Sequence, residues 1–208
     1  MPRCRETGFP VVAVVFDRKW EAPYTVNCDD FLGAQLAVRH LFGLGHRRIA
    51  HILGDPAISS TAQRLHGYRV ALAEAGAEAR PEWEIPGAFT VQAGESGASA
   101  LLALPASNRP TALFAANDFI AEGVLRACRT HRVRVPDDLA LVGYDDTWFA
   151  AERDPPLTSV HMPIYSMGVA AIDLLLAQIE GMPIEEPHVV LPPTFTVRKS
   201  CGAPPAAA

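Results

Sequence analysis

The apolar pattern of this chain switches repeatedly between short unbroken runs and helical spacing. The unbroken runs fall at 10–16, 49–53, 111–116, 139–143 and 189–191. Runs of this length, bounded by polar residues or glycine, suit strands buried on both faces. Between them, apolar residues recur every three or four positions. Leu32, Leu36 and Leu41 mark a first helix after Asp29 and Asp30; Leu65, Tyr68 and Leu72 mark a second, from about Ser59 to Gly76. A third begins at Thr90, a fourth carries Ile120, Val124 and Cys128, and a fifth runs from about Ile164 to Ile179 before Gly181. Strands alternating with helices imply right-handed crossovers and a mostly parallel sheet, an α/β fold. A weaker strand is expected at 85–88. The stretch Asp154-Pro155-Pro156-Leu157-Thr158 cannot continue a helix and reads as an extended crossover.

Composition excludes several classes. The 208 residues carry a formal net charge of −5, and the densest basic spot is Arg47-Arg48 with Arg39 and His46 nearby. Nucleic-acid affinity rests on phosphate neutralisation across a wider positive footprint, so this chain alone should bind DNA poorly. Cysteines at 4, 28, 128 and 201 form neither a disulfide framework nor a zinc pattern, which favours a reducing, cytoplasmic setting. No stretch is apolar enough to span a membrane, and the run at 10–16 lacks a small-residue cleavage site. Residues 202–208 are small residues and prolines, expected as a frayed tail.

Ligands of an open parallel sheet bind beyond the carboxyl ends of its strands, so the residues after each apolar run matter most. Asp17 follows the first run. Asp55 follows the second, with Arg64 expected on the first turn of the next helix. Phe89 follows the weaker strand, Asn117-Asp118 the third run, and Asp145-Asp146 the fourth. Carboxylates and amides share hydroxyls, an arginine donates in a fixed fork, and an aromatic face covers an apolar ring side. The set fits a polyol or sugar. Each residue also has a plainer use: Asn and Asp after a strand cap the next helix, Arg64 suits a solvated helix face, and Phe89 suits a core.

Catalysis lacks parts. A magnesium site on Asp17, Asp145 and Asp146 is conceivable, yet there is no phosphate-cradling G-x-x-x-x-G-K-[ST] loop, no dinucleotide G-x-G-x-x-G and no activated nucleophile. His40, His46, His51, His66, His161 and His188 form no metal pair. The reading is a binder with no cofactor and no metal.

The wording then matches a family. Asp29-Asp30, Gly33-Ala34 and HLFGLGHRRIA at 40–50 resemble the "DNxxGAxxAxxHLxxLGHxxIA" stretch of LacI-type transcription regulators. RLHGY at 64–68, PTALFAAND at 110–118, VPDDLALVGYDD at 135–146, PPLTSV at 155–160 and VRKS at 197–200 match in order. The resemblance covers nearly everything from Pro10 to Ser200. It implies a periplasmic-binding-protein-like (type I) fold of two Rossmann-like lobes closing on an effector. Its effector contacts fall on Asp17, Arg64, Phe89, Asn117 and Asp145. Ile164 stands where some sugar-binding members carry an aromatic. Asp30 stands where Asn is usual, a change that preserves a capping role.

On this resemblance, 1–26 is a remnant of an incomplete N-terminal lobe and 27–160 the C-terminal effector-binding lobe. Segment 161–192 returns to the first lobe, 193–201 is a final strand of the second, and about 120–140 residues with a helix-turn-helix would precede the chain. The expected function is effector sensing, of a sugar or related metabolite, for a cytoplasmic regulator. Operator DNA would be reached only through the missing head, and the intact protein would be a homodimer. A periplasmic sugar-binding protein of the same fold is the alternative, and a fragment whose pocket never closes is a third reading.

Overall fold

The computed structural model describes residues 8–15, 22–77 and 79–202. Asp17 lies outside them. The chain divides into two compact units: residues 1–29 with 162–193, and residues 30–161 with 194–208.

The second unit is built on a six-stranded sheet. Its strands, with the helices between them, are β3 (Ile49–Ile52), β4 (Glu84–Ile85), β5 (Ala112–Ala115), β6 (Ala140–Asp145), β7 (Thr158–His161) and β9 (Thr194–Thr196). Spatial order is β4-β3-β5-β6-β7-β9. All pairings are parallel except β7 with β9, which is antiparallel. Helices α1 (Asp30–Gly43), α2 (Ser59–Glu74), α3 (Val91–Leu102) and α4 (Asp118–His131) make the crossovers. Alternate side chains along each strand sort to opposite faces. Ala50, Ile52, Leu113, Ala115 and Leu141 join Leu101, Ile120 and Val124 in one core beneath α3 and α4. His51, Phe114 and Tyr144 face the other way. His51 stacks on Phe114 at 4.4 Å, and Tyr68 of α2 donates to the Ile49 carbonyl at 2.8 Å.

Helix signals match the residues that carry them. Thr90 caps α3, its Oγ1 accepting from the Ala93 amide at 3.2 Å, and Asn117 caps α4 in the same manner. In both helix pairs a glycine permits close approach. A Cβ on Gly123 would sit 2.0 Å from the Val91 carbonyl oxygen, and one on Gly67 2.3 Å from that of Phe31.

Among its described residues, the first unit holds three parallel strands in the order β1-β2-β8: β1 (Ala13–Val14), β2 (Thr25–Cys28) and β8 (His188–Leu191). Helix α5 (Ile164–Glu180) packs on them through Met167 and Leu174 and ends at Gly181, whose φ of +68° no β-carbon opposes.

Several boundaries differ from expectation for physical reasons. The run at 10–16 yields only Ala13–Val14 as strand among its described residues. The weaker strand sits at Glu84–Ile85 rather than 85–88, because Pro86 has no amide to pair. The stretch read as a crossover leads directly into β7, which begins at its last residue, Thr158, and β2 was not anticipated. Their buried positions mix polar with apolar residues: Thr158 and Ser159 are fully buried beside Val160, and Thr25, which bonds His188, precedes buried Val26. Polar inward residues erase the apolar run that marks a buried strand. β8, expected to be covered on both faces, is an edge strand of its described sheet, with Val190 51% exposed.

Candidate functional site

The four central strands β3, β5, β6 and β7 run parallel, so their carboxyl ends share one rim. Arg64 reaches it from α2. It is the sixth helical residue, a turn later than expected, and only 4% of its surface is exposed, so it is not a solvated helix residue. Its Nε and Nη2 both lie 2.8 Å from Asp30 Oδ1. Nη1 donates to the Ala116 carbonyl at the end of β5, and Nη2 is 3.8 Å from Asp145 Oδ1. The guanidinium lies 3.6 Å from the Tyr144 ring centre and 5.8 Å from that of Phe89. Burial of a cation demands partners of this kind.

Asp145 and Asp146 divide the labour at the end of β6. Both have positive φ, +99° and +53°, a conformation that costs a non-glycine residue free energy and persists only where neighbours enforce it. Asp146 supplies that enforcement. Its amide donates to Ser159 Oγ at 3.1 Å, and its carboxylate accepts from Arg198 at 2.7 Å and Thr196 at 2.9 Å and meets His161 Nδ1 at 3.1 Å. Asp118 reinforces the turn, accepting from the amide and hydroxyl of Thr147 and from Ser159. Burial nevertheless raises its carboxyl above the usual range. Asp145 is the half-open member of the pair. Burial pushes its carboxyl up to about 7, opposed by Arg64 and aided by Asp118 and Asp30.

Asn117 is buried, and its Oδ1 accepts from the Ile120 amide at 2.9 Å. The cap fixes the side-chain amide and leaves its NH2 as the group the helix does not use. Phe89 packs partly against the core and presses its ring on Gly54, where a Cβ would lie 2.1 Å from Phe89 Cζ. Arg64, Asn117 and Asp145 thus meet at the ends of adjacent strands, with Phe89 beside Arg64. Ile164 opens α5 in the other unit and is 64% exposed. Asp55 is occupied locally, accepting from the Ala57 amide at 2.8 Å.

Two contributors were not legible in advance. Asp30, read as a cap, is instead the first residue of α1 and the partner of Arg64. Tyr144 is the plate under the guanidinium. The alternation of His51, Phe114 and Tyr144 on one face is the signal that points to it. Of the three carboxylates weighed for magnesium, Asp17 lies outside the described residues and Asp146 is engaged by Arg198, Thr196 and His161. Among the described residues, no three His, Cys, Asp or Glu side chains are grouped as metal ligands.

Known proteins give a consistent picture. The periplasmic binding protein-like domain family matches residues 38–201. The HTH-type transcriptional regulator DegA of Bacillus subtilis is 35% identical over 191 residues, covering 92% of this chain and 56% of DegA. A LacI family regulatory protein from Chloroflexus aggregans superposes with a TM-score of 0.89 at 33% identity, covering 97% of this chain and 72% of that one. A LacI family transcriptional regulator from Enterococcus faecium gives a TM-score of 0.83 at 29% identity, covering 96% and 73%. The chain spans about half the length of the curated relatives it matches. Family match, regulator relatives and doubly wound parallel sheet agree: the chain belongs to the periplasmic binding protein-like domain family, as a LacI-type effector-binding core.

Proposed function

We propose that this chain senses a small polar effector, a sugar or related polyol, for a LacI-type transcription regulator, and that it acts by binding rather than by catalysis. The carrying observation is the meeting of Arg64, Asn117 and Asp145 at the carboxyl ends of adjacent parallel strands. Ionised Asp145 accepts ligand hydroxyls, the Asn117 amide donates to a ligand oxygen, and Phe89 offers an apolar face. Asp17 and Ile164 remain in the proposal on the family resemblance alone. The Enterococcus faecium relative was solved with bound ribose, which supports a sugar as effector.

In the whole protein, effector binding shifts the equilibrium between states of different operator affinity, by as much as the ligand's affinities for the two states differ. Operator contact then belongs to a helix-turn-helix outside this chain, in a cytoplasmic homodimer. The regulator relatives support a regulatory role.

Calorimetric titration of the full chain with D-ribose, D-glucose and cellobiose tests the site. At least one of these should bind, and Asp145→Ala should weaken that binding by tenfold or more, about 1.4 kcal/mol. Binding that Asp145→Ala leaves untouched would remove the rim from the account.

A further inference from the structure

We propose that Asp30 sets the charge selectivity of this rim: by neutralising Arg64 it leaves the rim net negative, so that uncharged polyhydroxyl ligands are admitted and their phosphate esters disfavoured. The inference rests on the effector-site reading above and goes further by naming the residue that decides ligand charge.

A buried arginine at the mouth of a ligand site is ordinarily an anion receptor, because its planar fork matches phosphate and carboxylate bidentately. Here that fork is turned on the protein. The edge formed by Nε and Nη2 closes on Asp30 Oδ1, with both distances 2.8 Å. Nη1 donates to the Ala116 carbonyl, and the flat face rests on Tyr144. An incoming phosphate would have to displace the Asp30 carboxylate, which is 15% exposed and part of α1.

Charge balance points the same way. Among the described residues of the rim, one cation, Arg64, faces two carboxylates, Asp30 and Asp145. The neighbouring Asp146 is matched by Arg198 and also meets His161, while the Asp118 carboxyl lies buried against Thr147 and Ser159. Arg198 is therefore committed and offers the rim no compensating positive charge. In a site with reduced dielectric, a like-charge encounter is penalised far more than in water. Neutral hydroxyls meet no such penalty, and Asp145 gives them an acceptor. The family pattern quoted above has Asn at position 30. An amide there would keep a hydrogen bond to Arg64 but leave its charge uncompensated, so the aspartate is the feature of this chain that changes the outcome.

The test compares matched pairs by calorimetry on the full chain at pH 8, where Asp145 is ionised: D-ribose with ribose 5-phosphate, and D-glucose with glucose 6-phosphate. In at least one pair, the neutral member should bind tenfold or more tighter than its ester. Raising the salt from 0.05 to 0.5 M should narrow that ratio, since the discrimination is electrostatic and the screening length shortens to a few ångströms, about 4 Å. Asp30→Asn should narrow the ratio tenfold by improving the ester. The salt series needs no variant and stands if Asp30→Asn does not fold. Esters binding the wild type as well as the parent sugars would overturn the selectivity and leave the effector site standing. A folded Asp30→Asn that weakens both members equally would reduce Asp30 to a structural role. Failure of every neutral and phosphorylated sugar to bind would overturn the effector reading itself, and the selectivity with it.

Discussion

Arg64, Asp145 and His51 are ionisable groups in or beneath the rim, and burial shifts Asp145 and His51 in opposite senses. His51 is fully buried; desolvation lowers it to about 3, the hydrogen bond with the Phe114 carbonyl raises it, and Arg64 lowers it. The unfolded chain binds this proton at a higher pH than the fold does, so His51 makes stability fall as pH drops from about 6.5 towards 3. Asp145 is raised to about 7, so here the fold binds the proton that the unfolded chain has lost. Its contribution makes stability fall as pH rises from about 4 to 7. Each group contributes at most about 1.4 kcal/mol per pH unit, and the slopes oppose. Denaturant melts between pH 4.5 and 7.5 should show this as differences from the wild type. Asp145→Asn should make stability rise more steeply with pH, and His51→Gln should tilt it the other way. Parallel curves for all three proteins would contradict the assignment. Ligand affinity carries the same proton, since a carboxylate accepting hydroxyls must be ionised. Sugar binding should therefore weaken severalfold from pH 8 to pH 6, and Asp145→Asn should abolish that trend. At this scale the sequence was readable where a residue follows an apolar run, as Asn117 and Asp145 do. It was not readable for Asp30, because a capping aspartate and one that receives an arginine from another helix look alike until the helices are packed.

Among the elements, glycine contacts decide how closely the helices approach. A Cβ on Gly94 would lie 2.1 Å from the Ile120 carbonyl oxygen, and one on Gly123 2.0 Å from that of Val91; both neighbours are backbone that cannot swing aside. Gly94→Ala and Gly123→Ala should each destabilise by about 2–4 kcal/mol through overpacking. Gly168, inside α5, has nothing within 4 Å of its Cβ position, so Gly168→Ala should be neutral or stabilise by about 0.5–1 kcal/mol. Chemical denaturation of the three variants checks the contrast. Gly54→Ala belongs with the site, because the new methyl would drive Phe89 off the end of β3. Strands β3, β5 and β6 were legible because their buried positions are apolar apart from His51. β7 was not, because two of its three buried positions, Thr158 and Ser159, are hydroxyls held by Cys201 and Asp118. Those bonds satisfy the strand chemically while hiding it from a hydropathy reading.

Across the whole chain the two units differ in how much they bury. The second is a six-stranded sheet covered by helices on both faces. Among the described residues, the first has three short strands and one helix, and leaves Tyr165, Val169, Ile172, Leu176 and Ile179 of α5 largely exposed. Native-state hydrogen exchange should therefore find β1, β2 and β8 opening at lower free energy than β3, β5 and β6. Equal protection of both sets would contradict that ranking. The fold class was visible in the alternation of runs and helical spacing; hydropathy alone does not give the unequal burial, since an apolar helix reads the same covered or bare.

Hydrogen exchange repeated with saturating amounts of the tightest-binding neutral sugar tests the central claim most directly. Protection should appear at 86–90, 117–120 and 145–147, around Phe89, Asn117 and Asp145, and should vanish with Asp145→Ala. Protection confined to α5, or to any surface away from those strand ends, would place the effector elsewhere and contradict the account.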